Sequence, residues 1–300
     1  MNSTNNIDEI RDDEIRIISP VPKRNDGKKG GSLFIWILAF ILIILVAAII
    51  IVATQKGKSE VSTAYELRNA KECVAVHSSM MPIGDYEDNS EIAYAEVLTD
   101  TVNDVSFTIY IPHNTTPRLV LKTPDLADKS IVLAAQAADI RADNGKIVGS
   151  FVLNGDLLAK GSAKKGFCSI INGAMTIGVS DNTQLFEEAI DKNGYFFRQY
   201  PLVDTGVMVD NEPKGKSIRK ALCERGGQIM VIISDNPESF HDFAQALADF
   251  GVSNAIYLMG SQYSYGFYRD KSGAYTEFSD NRGSQFEMES YIIWESKNNN

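Results

Sequence analysis

Few residues of this chain combine reactive chemistry with a setting that could use it. Cys73, Cys168 and Cys223 form no CxxC pair and have no histidine at metal-ligand spacing, so they define no metal site. In an oxidising compartment two of them can pair, although separation in sequence does not say which; independent buried thiols are the alternative. His77, His113 and His241 are isolated and read as surface or loop residues. Lys216, Arg219 and Lys220 form a basic cluster with the donors to hold a phosphate, and a solvated loop and helix face would look the same. Asn154-Gly155-Asp156 has the composition of a tight turn with a capping carboxylate, and Asp204 directly follows an apolar strand pattern. There is no GxSxG elbow, no P-loop and no GxGxxG opening a helix, which argues against serine hydrolase, NTPase and dinucleotide enzyme chemistry and implies no cofactor.

The elements that must position such residues are clearest between Gly227 and Gly260. Gln228 to Ser234 is a short, β-branched apolar run, the pattern of a strand buried on both faces. A helix follows, with Asn236 as N-cap, Pro237 at its first position, and Phe240, Phe243, Ala244, Leu247 and Phe250 on one face. Gly251 stops it, and Asn254 to Leu258 is a second buried strand. A right-handed crossover would lay the two strands parallel, with Met259, Gly260 and Ser261 at the carboxyl end, where ligands of parallel sheets sit.

The same residues carry a resemblance. Strand, helix, Gly251-x-x-Asn254-Ala255, apolar strand and Gly260, in that order, resemble the C-terminal signature of the phosphodiester glycosidase family, related to the enzyme that uncovers mannose 6-phosphate. Upstream, Asn154-Gly155-Asp156 is similar to the family's Asn-Gly-(Gly or Asp) turn, Tyr200-Pro201-Leu202-Val203 to its Gly-Pro-x-Leu-Val strand, and Arg219 with Ala221-Leu222 to its Arg-x-Ala-(Ile or Leu) segment. Where relatives read Asn-Leu-Asp-Gly-Gly, this chain reads Tyr257-Leu258-Met259-Gly260-Ser261, and a thioether can neither take nor give a proton. The resemblance implies hydrolysis or recognition of a sugar 1-phosphodiester or related phosphorylated glycan. Asp156 would be the catalytic carboxylate and Asp204 a second acid. Asn154 and Gly155 would lie on the sugar, Arg219 would grip phosphate bidentately, and Gly260 and Ser261 would offer backbone donors. Tyr263, Tyr265, Phe267 and Tyr268 would either stack on a sugar or pack a sheet. The alternative is a catalytically inactive relative that binds a glycan or a protein of the bacterial cell envelope.

Residues 1–32 carry six basic and six acidic residues without hydrophobic periodicity, the composition of a disordered tail. Leu33 to Ala53 is an uncharged apolar run long enough to cross a membrane, and it exceeds the apolar core of a cleavable signal peptide. Lys23, Arg24, Lys28 and Lys29 precede it, which predicts a cytoplasmic N-terminus and an extracytoplasmic remainder. The tail is neutral, so the net charge of −10 falls on the exported part and does not suggest nucleic acid as a partner. A juxtamembrane stalk (54–72) leads to one domain (73–297) and a short tail (298–300). Strands are expected at Ile92 to Leu98, Val105 to Ile111, Leu119 to Leu121 and Lys146 to Leu153. An Asn172-Gly173 hairpin and a helix over Thr183 to Lys192 follow. Ser130 to Ala142 fits a helix, with a strand left open by its β-branched start. Together these predict an α/β (α+β mixed) fold, a mixed sheet with packed helices. Oligomeric state has no sequence signal. Asn2-Ser3-Thr4 and Asn114-Thr115-Thr116 match the glycosylation pattern without further support.

Overall fold

In the computed structural model, which describes residues 86–260, 264–279 and 286–297, alternation sets the first hairpin. Tyr94–Val102 (β1) and Val105–His113 (β2) pair antiparallel around Asn103 and Asp104, both at positive φ. Every second residue of β2 is buried, as a sheet with one face on a core requires. Thr115–Leu121 (β3), Ile131–Gln136 (β4), Phe151–Leu153 (β5), Asp156–Ala159 (β6), Gly166–Ile171 (β7) and Ala174–Val179 (β8) follow. Helix α1 spans Gln184–Asp191, and Tyr195–Gln199 (β9), Pro201–Asp204 (β10), Val207–Met208 (β11), Lys220–Arg225 (β12) and Gln228–Ser234 (β13) precede helix α2 at Phe240–Asp249. Asn254–Leu258 (β14), Gly266–Arg269 (β15), Tyr275–Glu277 (β16) and Ser290–Ser296 (β17) complete the described elements.

The strands form three sheets: β1-β2-β13-β12-β14-β10-β11, β16-β15-β4-β17-β3, and β6-β5-β9-β7-β8. Every ladder between these strands is antiparallel. The expected α/β mixture is therefore wrong: among the described residues the fold is nearly all β, with two short helices. One cause is Ile131–Gln136, buried at every position, because a short apolar run has no period to separate a central strand from a buried helix. The other is the Gly226-Gly227 turn, at φ +56° and +79°, which closes a two-residue hairpin and pairs β13 with β12. β13 and β14 do run in the same direction, but β12 lies between them and is antiparallel to both.

Helix α2 lays Phe240, Phe243, Ala244, Ala246 and Leu247 on one face of the seven-stranded sheet, against Phe107, Ile109, Ala221, Cys223 and Ile232. Each fully buried Phe or Leu there contributes about 2 kcal/mol. The other face of that sheet meets the other two in one shared core, where Leu222, Val231 and Ile256 pack with Leu133, Ala135 and Ile292 and with Phe151, Cys168 and Phe197. Helix α1 covers a smaller cluster around Phe167 and Phe196. Its expected bounds hold, with Thr183 as N-cap.

The N-cap of α2 is Ser239, not Asn236. Residues just before it stay extended because Glu238 and Ser217 exchange two backbone hydrogen bonds, 2.8 and 3.1 Å. Ser239 Oγ then accepts from the Asp242 amide at 2.9 Å and donates to the Asp242 carboxylate at 2.7 Å. Ser239→Ala is expected to cost about 1 kcal/mol in urea unfolding, and an unchanged midpoint would deny the cap its role.

Cys168 and Cys223 are fully buried free thiols in different core clusters, and burial raises the pKa of both. Cys73, His77 and the apolar run Leu33 to Ala53 lie outside the described residues. Among those described, no helix is long and apolar enough to cross a membrane. His113 is not the surface residue expected. It is buried against Tyr94, with Nδ1 3.2 Å from Asp88 and Nε2 3.2 Å from Glu96. His241 is exposed and meets Asp210 at 3.0 Å.

Candidate functional site

The three sheets bring strand ends together at one place. The Met259 amide, just past β14, donates to the Gln136 carbonyl at the end of β4, 3.2 Å away. The Tyr257 amide donates to the Tyr200 carbonyl at the corner between β9 and β10, and Leu258 pairs with Lys220 at the start of β12. Polar side chains gather here inside an otherwise apolar frame. Gln199, fully buried, donates to the Ala137 carbonyl (3.2 Å) and the Asp139 carboxylate (2.9 Å), while its Oε1 accepts from Lys164 Nζ (3.0 Å) and the Tyr200 amide (3.1 Å). Lys164 also donates to the other Asp139 oxygen and lies 4.5 Å from the Tyr200 ring centre. Burial pulls the Lys164 pKa down from 10.5 to about 7, and the Asp139 carboxylate stands within ion-pair reach of the ammonium.

Among the described residues, Lys220 has no such carboxylate as a hydrogen-bond partner. Its ammonium donates to the Ser264 carbonyl (2.8 Å) and hydroxyl (2.6 Å), and burial pulls its pKa from 10.5 to about 7. Gln136 donates to Glu289 Oε1, while Glu289 Oε2 is buried without a hydrogen-bond partner among the described residues. The junction thus presents amides, two buried amines and two carboxylates, one of them already paired with Lys164.

The residues expected from sequence meet this junction only in part. Gly260 reaches it, but its amide is taken by the Tyr257 hydroxyl at 3.1 Å and is not offered to a ligand. A Cβ on Gly260 would collide with that hydroxyl and stand 2.7 Å from the Ile218 carbonyl. Gly260→Ala should therefore destabilise the domain by about 1–3 kcal/mol, which thermal unfolding would show as a lowered Tm. Ser261 and Tyr263 lie outside the described residues. Arg219 adjoins the junction in sequence, yet its guanidinium donates to the Glu238 (2.8 Å) and Gly215 (2.6 Å) carbonyls and stacks on Phe240, 4.2 Å from the ring centre. It ties loops together on the helix side of the sheet. Lys216 is exposed and 3.6 Å from Glu238.

Both expected carboxylates sit at the far ends of the strands that reach the junction. Asn154-Gly155 forms the β5–β6 turn at φ +50° and +84°, docked by the Gly155 amide on the Gly194 carbonyl at 2.9 Å; Asp156 is exposed on the edge strand beyond it. Gly194 and Gln199 bracket β9, so the turn is about 16 Å of strand from the junction. Asp204 closes β10 beside Asn254, whose Oδ1 accepts from the Thr205 amide, again about 16 Å from Met259 along β14. Tyr265 and Phe267 are buried with Tyr291 and Ile293, and Tyr268 packs on Tyr110 and Phe278, so these aromatics fill cores. Sequence reasoning missed Gln136, Asp139, Lys164, Gln199 and Glu289. The one available signal was a glutamine closing an apolar run, in Ile131–Gln136.

These features define a class: an antiparallel three-sheet domain whose strand ends enclose a polar junction. The domain is similar in fold to the zebrafish N-acetylglucosamine-1-phosphodiester alpha-N-acetylglucosaminidase catalytic domain, solved auto-inhibited by its pro-peptide. That match has a TM-score of 0.51 and 14% identity, and covers 72% of this chain and 87% of the zebrafish domain. A hypothetical protein from Synechocystis matches at TM-score 0.48 and 13% identity, over 69% of this chain and 64% of that one. No protein-family description matches the chain, and no curated protein does. The likeness shows a distant fold relationship to a phosphodiester glycosidase domain.

Proposed function

We propose that this chain recognises a sugar 1-phosphodiester or related phosphorylated glycan at the three-sheet junction without hydrolysing it, as an extracytoplasmic domain held to the membrane by Leu33 to Ala53. One observation carries the reading. Met259 occupies the strand end where the sequence resemblance implies a carboxylate, and both acids expected to compensate lie about 16 Å away at the opposite strand ends. Paired carboxylates at a scissile glycosidic bond stand at most about 9.5 Å apart, with the bond between them. Lys220 supplies the recognising cation: burial disfavours its charge, and an incoming phosphate restores it.

A second reading, hydrolysis, is favoured by Glu289, whose buried Oε2 has no partner among the described residues and which adjoins Gln136. Sugar release from a panel of sugar 1-phosphodiesters by the full chain decides between them. Recognition predicts no multiple turnover, and Asp156→Asn and Asp204→Asn bind as the parent does. Turnover abolished by Glu289→Gln would establish hydrolysis instead.

A further inference from the structure

One histidine holds the lead-in to β1 against the first hairpin. His113 closes β2, is buried, and stacks on Tyr94 of β1 at a ring separation of 4.7 Å. Both of its nitrogens face acids: Nε2 lies 3.2 Å from Glu96 on β1, and Nδ1 lies 3.2 Å from Asp88 in the segment before β1. Nδ1 also lies 3.1 Å from the Tyr86 hydroxyl. From the β15–β16 turn, Lys271 brings its charge to the Tyr94 ring, 4.5 Å from the centre, and from the start of β13 the neutral Gln228 reaches Tyr86.

A carboxylate only accepts, so both acids are satisfied at once by an imidazolium, which donates from each nitrogen. A neutral imidazole has one N–H and one bare lone pair. Among the described residues no donor stands beside Nε2, whereas the Tyr86 hydroxyl can donate to Nδ1. The neutral ring therefore keeps its proton on Nε2 for Glu96 and turns a lone pair towards Asp88 and Tyr86. Burial, with the Asp88 charge next in size, raises the Tyr86 pKa, so that hydroxyl keeps its proton. Asp88 stays ionised. Burial works to raise its carboxyl, but the Asn114 and Ser90 amides and His113 outweigh it and hold it below the usual carboxylate range.

We propose that His113 is a pH-operated latch on residues 86–90. Charged, it clasps Asp88; neutral, it exchanges Asp88 for the Tyr86 hydroxyl, and the segment loosens. The hold is complete in mild acid and is lost as pH rises through the range of about 5 to 8 in which histidines discharge. What it controls is the grip of the domain on the residues that lead from Leu33 to Ala53 into β1.

Hydrogen exchange of the full 300-residue chain, corrected for the intrinsic effect of pH, tests the latch at about pH 5 and about pH 8. The amides of residues 86–93 should lose about tenfold in protection across that interval, the worth of one hydrogen bond to a charged group. His113→Gln donates and accepts without titrating, and it should abolish the loss. Asp88→Asn should abolish it as well, and keeps the test open if the glutamine variant does not fold. Tyr86→Phe removes the partner of the neutral ring and should move the transition to higher pH. Equal protection at the two pH values would overturn the proposal. So would a loss that survives in the glutamine or asparagine variant, or a transition that Tyr86→Phe leaves in place.

Discussion

Asp139→Ala is expected to destabilise the domain by about 3 kcal/mol, far more than removing the lysine it partners. The Lys164 side chain is 6% exposed, and its ammonium reaches Asp139, the Gln199 oxygen and the face of Tyr200. Deleting the carboxylate leaves that charge buried with neutral partners only. Lys164→Met removes the charge with its stem and leaves Asp139, a quarter exposed, to water and the Gln199 amide. In the Lys164→Met background, Asp139→Ala should therefore cost only about 1 kcal/mol, the worth of one hydrogen bond. Urea unfolding of the four proteins closes the cycle. Equal costs in both backgrounds would mean that the lysine and the carboxylate do not act on each other.

The second large effect is on the pH dependence of stability. Lys220 is 2% exposed, and its pKa falls from 10.5 in the free chain to about 7 when folded, because burial disfavours the ammonium. Above the unfolded value both states are neutral and the folded state bears no cost. Between the two values the unfolded chain holds a proton that the folded one lacks. Stability therefore rises with pH across this window, and is lost as pH falls from 10.5 towards 7. At about 1.4 kcal/mol per pH unit the span amounts to several kcal/mol. Other groups titrate in the same range, so the measurement is the difference between the parent and Lys220→Met in urea unfolding at a series of pH values. The parent should lose ground steadily towards neutral pH. A flat difference would show that the Lys220 amine keeps its charge on folding.

What was legible in the sequence follows how local its cause is. Asn172-Gly173 and Asn154-Gly155 were readable as turns because two adjacent residues carry the required positive φ. The face of α2 was readable from its period, but its start was not, because Glu238 is held extended by Ser217, on a different strand approach. Sheet order failed at Gly226-Gly227, where an unnoticed hairpin inserted β12 between two strands expected to be neighbours. The site was harder still. Gln136, Lys164, Gln199, Lys220 and Met259 come from separate sheets and loops, and no spacing announces their meeting. Turn chemistry drew attention to Asp156, while the acids that reach the junction, Asp139 and Glu289, stand in no recognisable motif.

The central claim is that the junction binds a phosphorylated sugar and does not cleave it. Hydrogen exchange of the full chain, with and without a saturating sugar 1-phosphodiester, tests both halves when the supernatant is assayed for free sugar. The predicted result is added protection at Gln136 to Asp139, Lys220 and Tyr257 to Gly260, with no sugar released. Protection confined to other strands, or steady release of free sugar, would contradict the account.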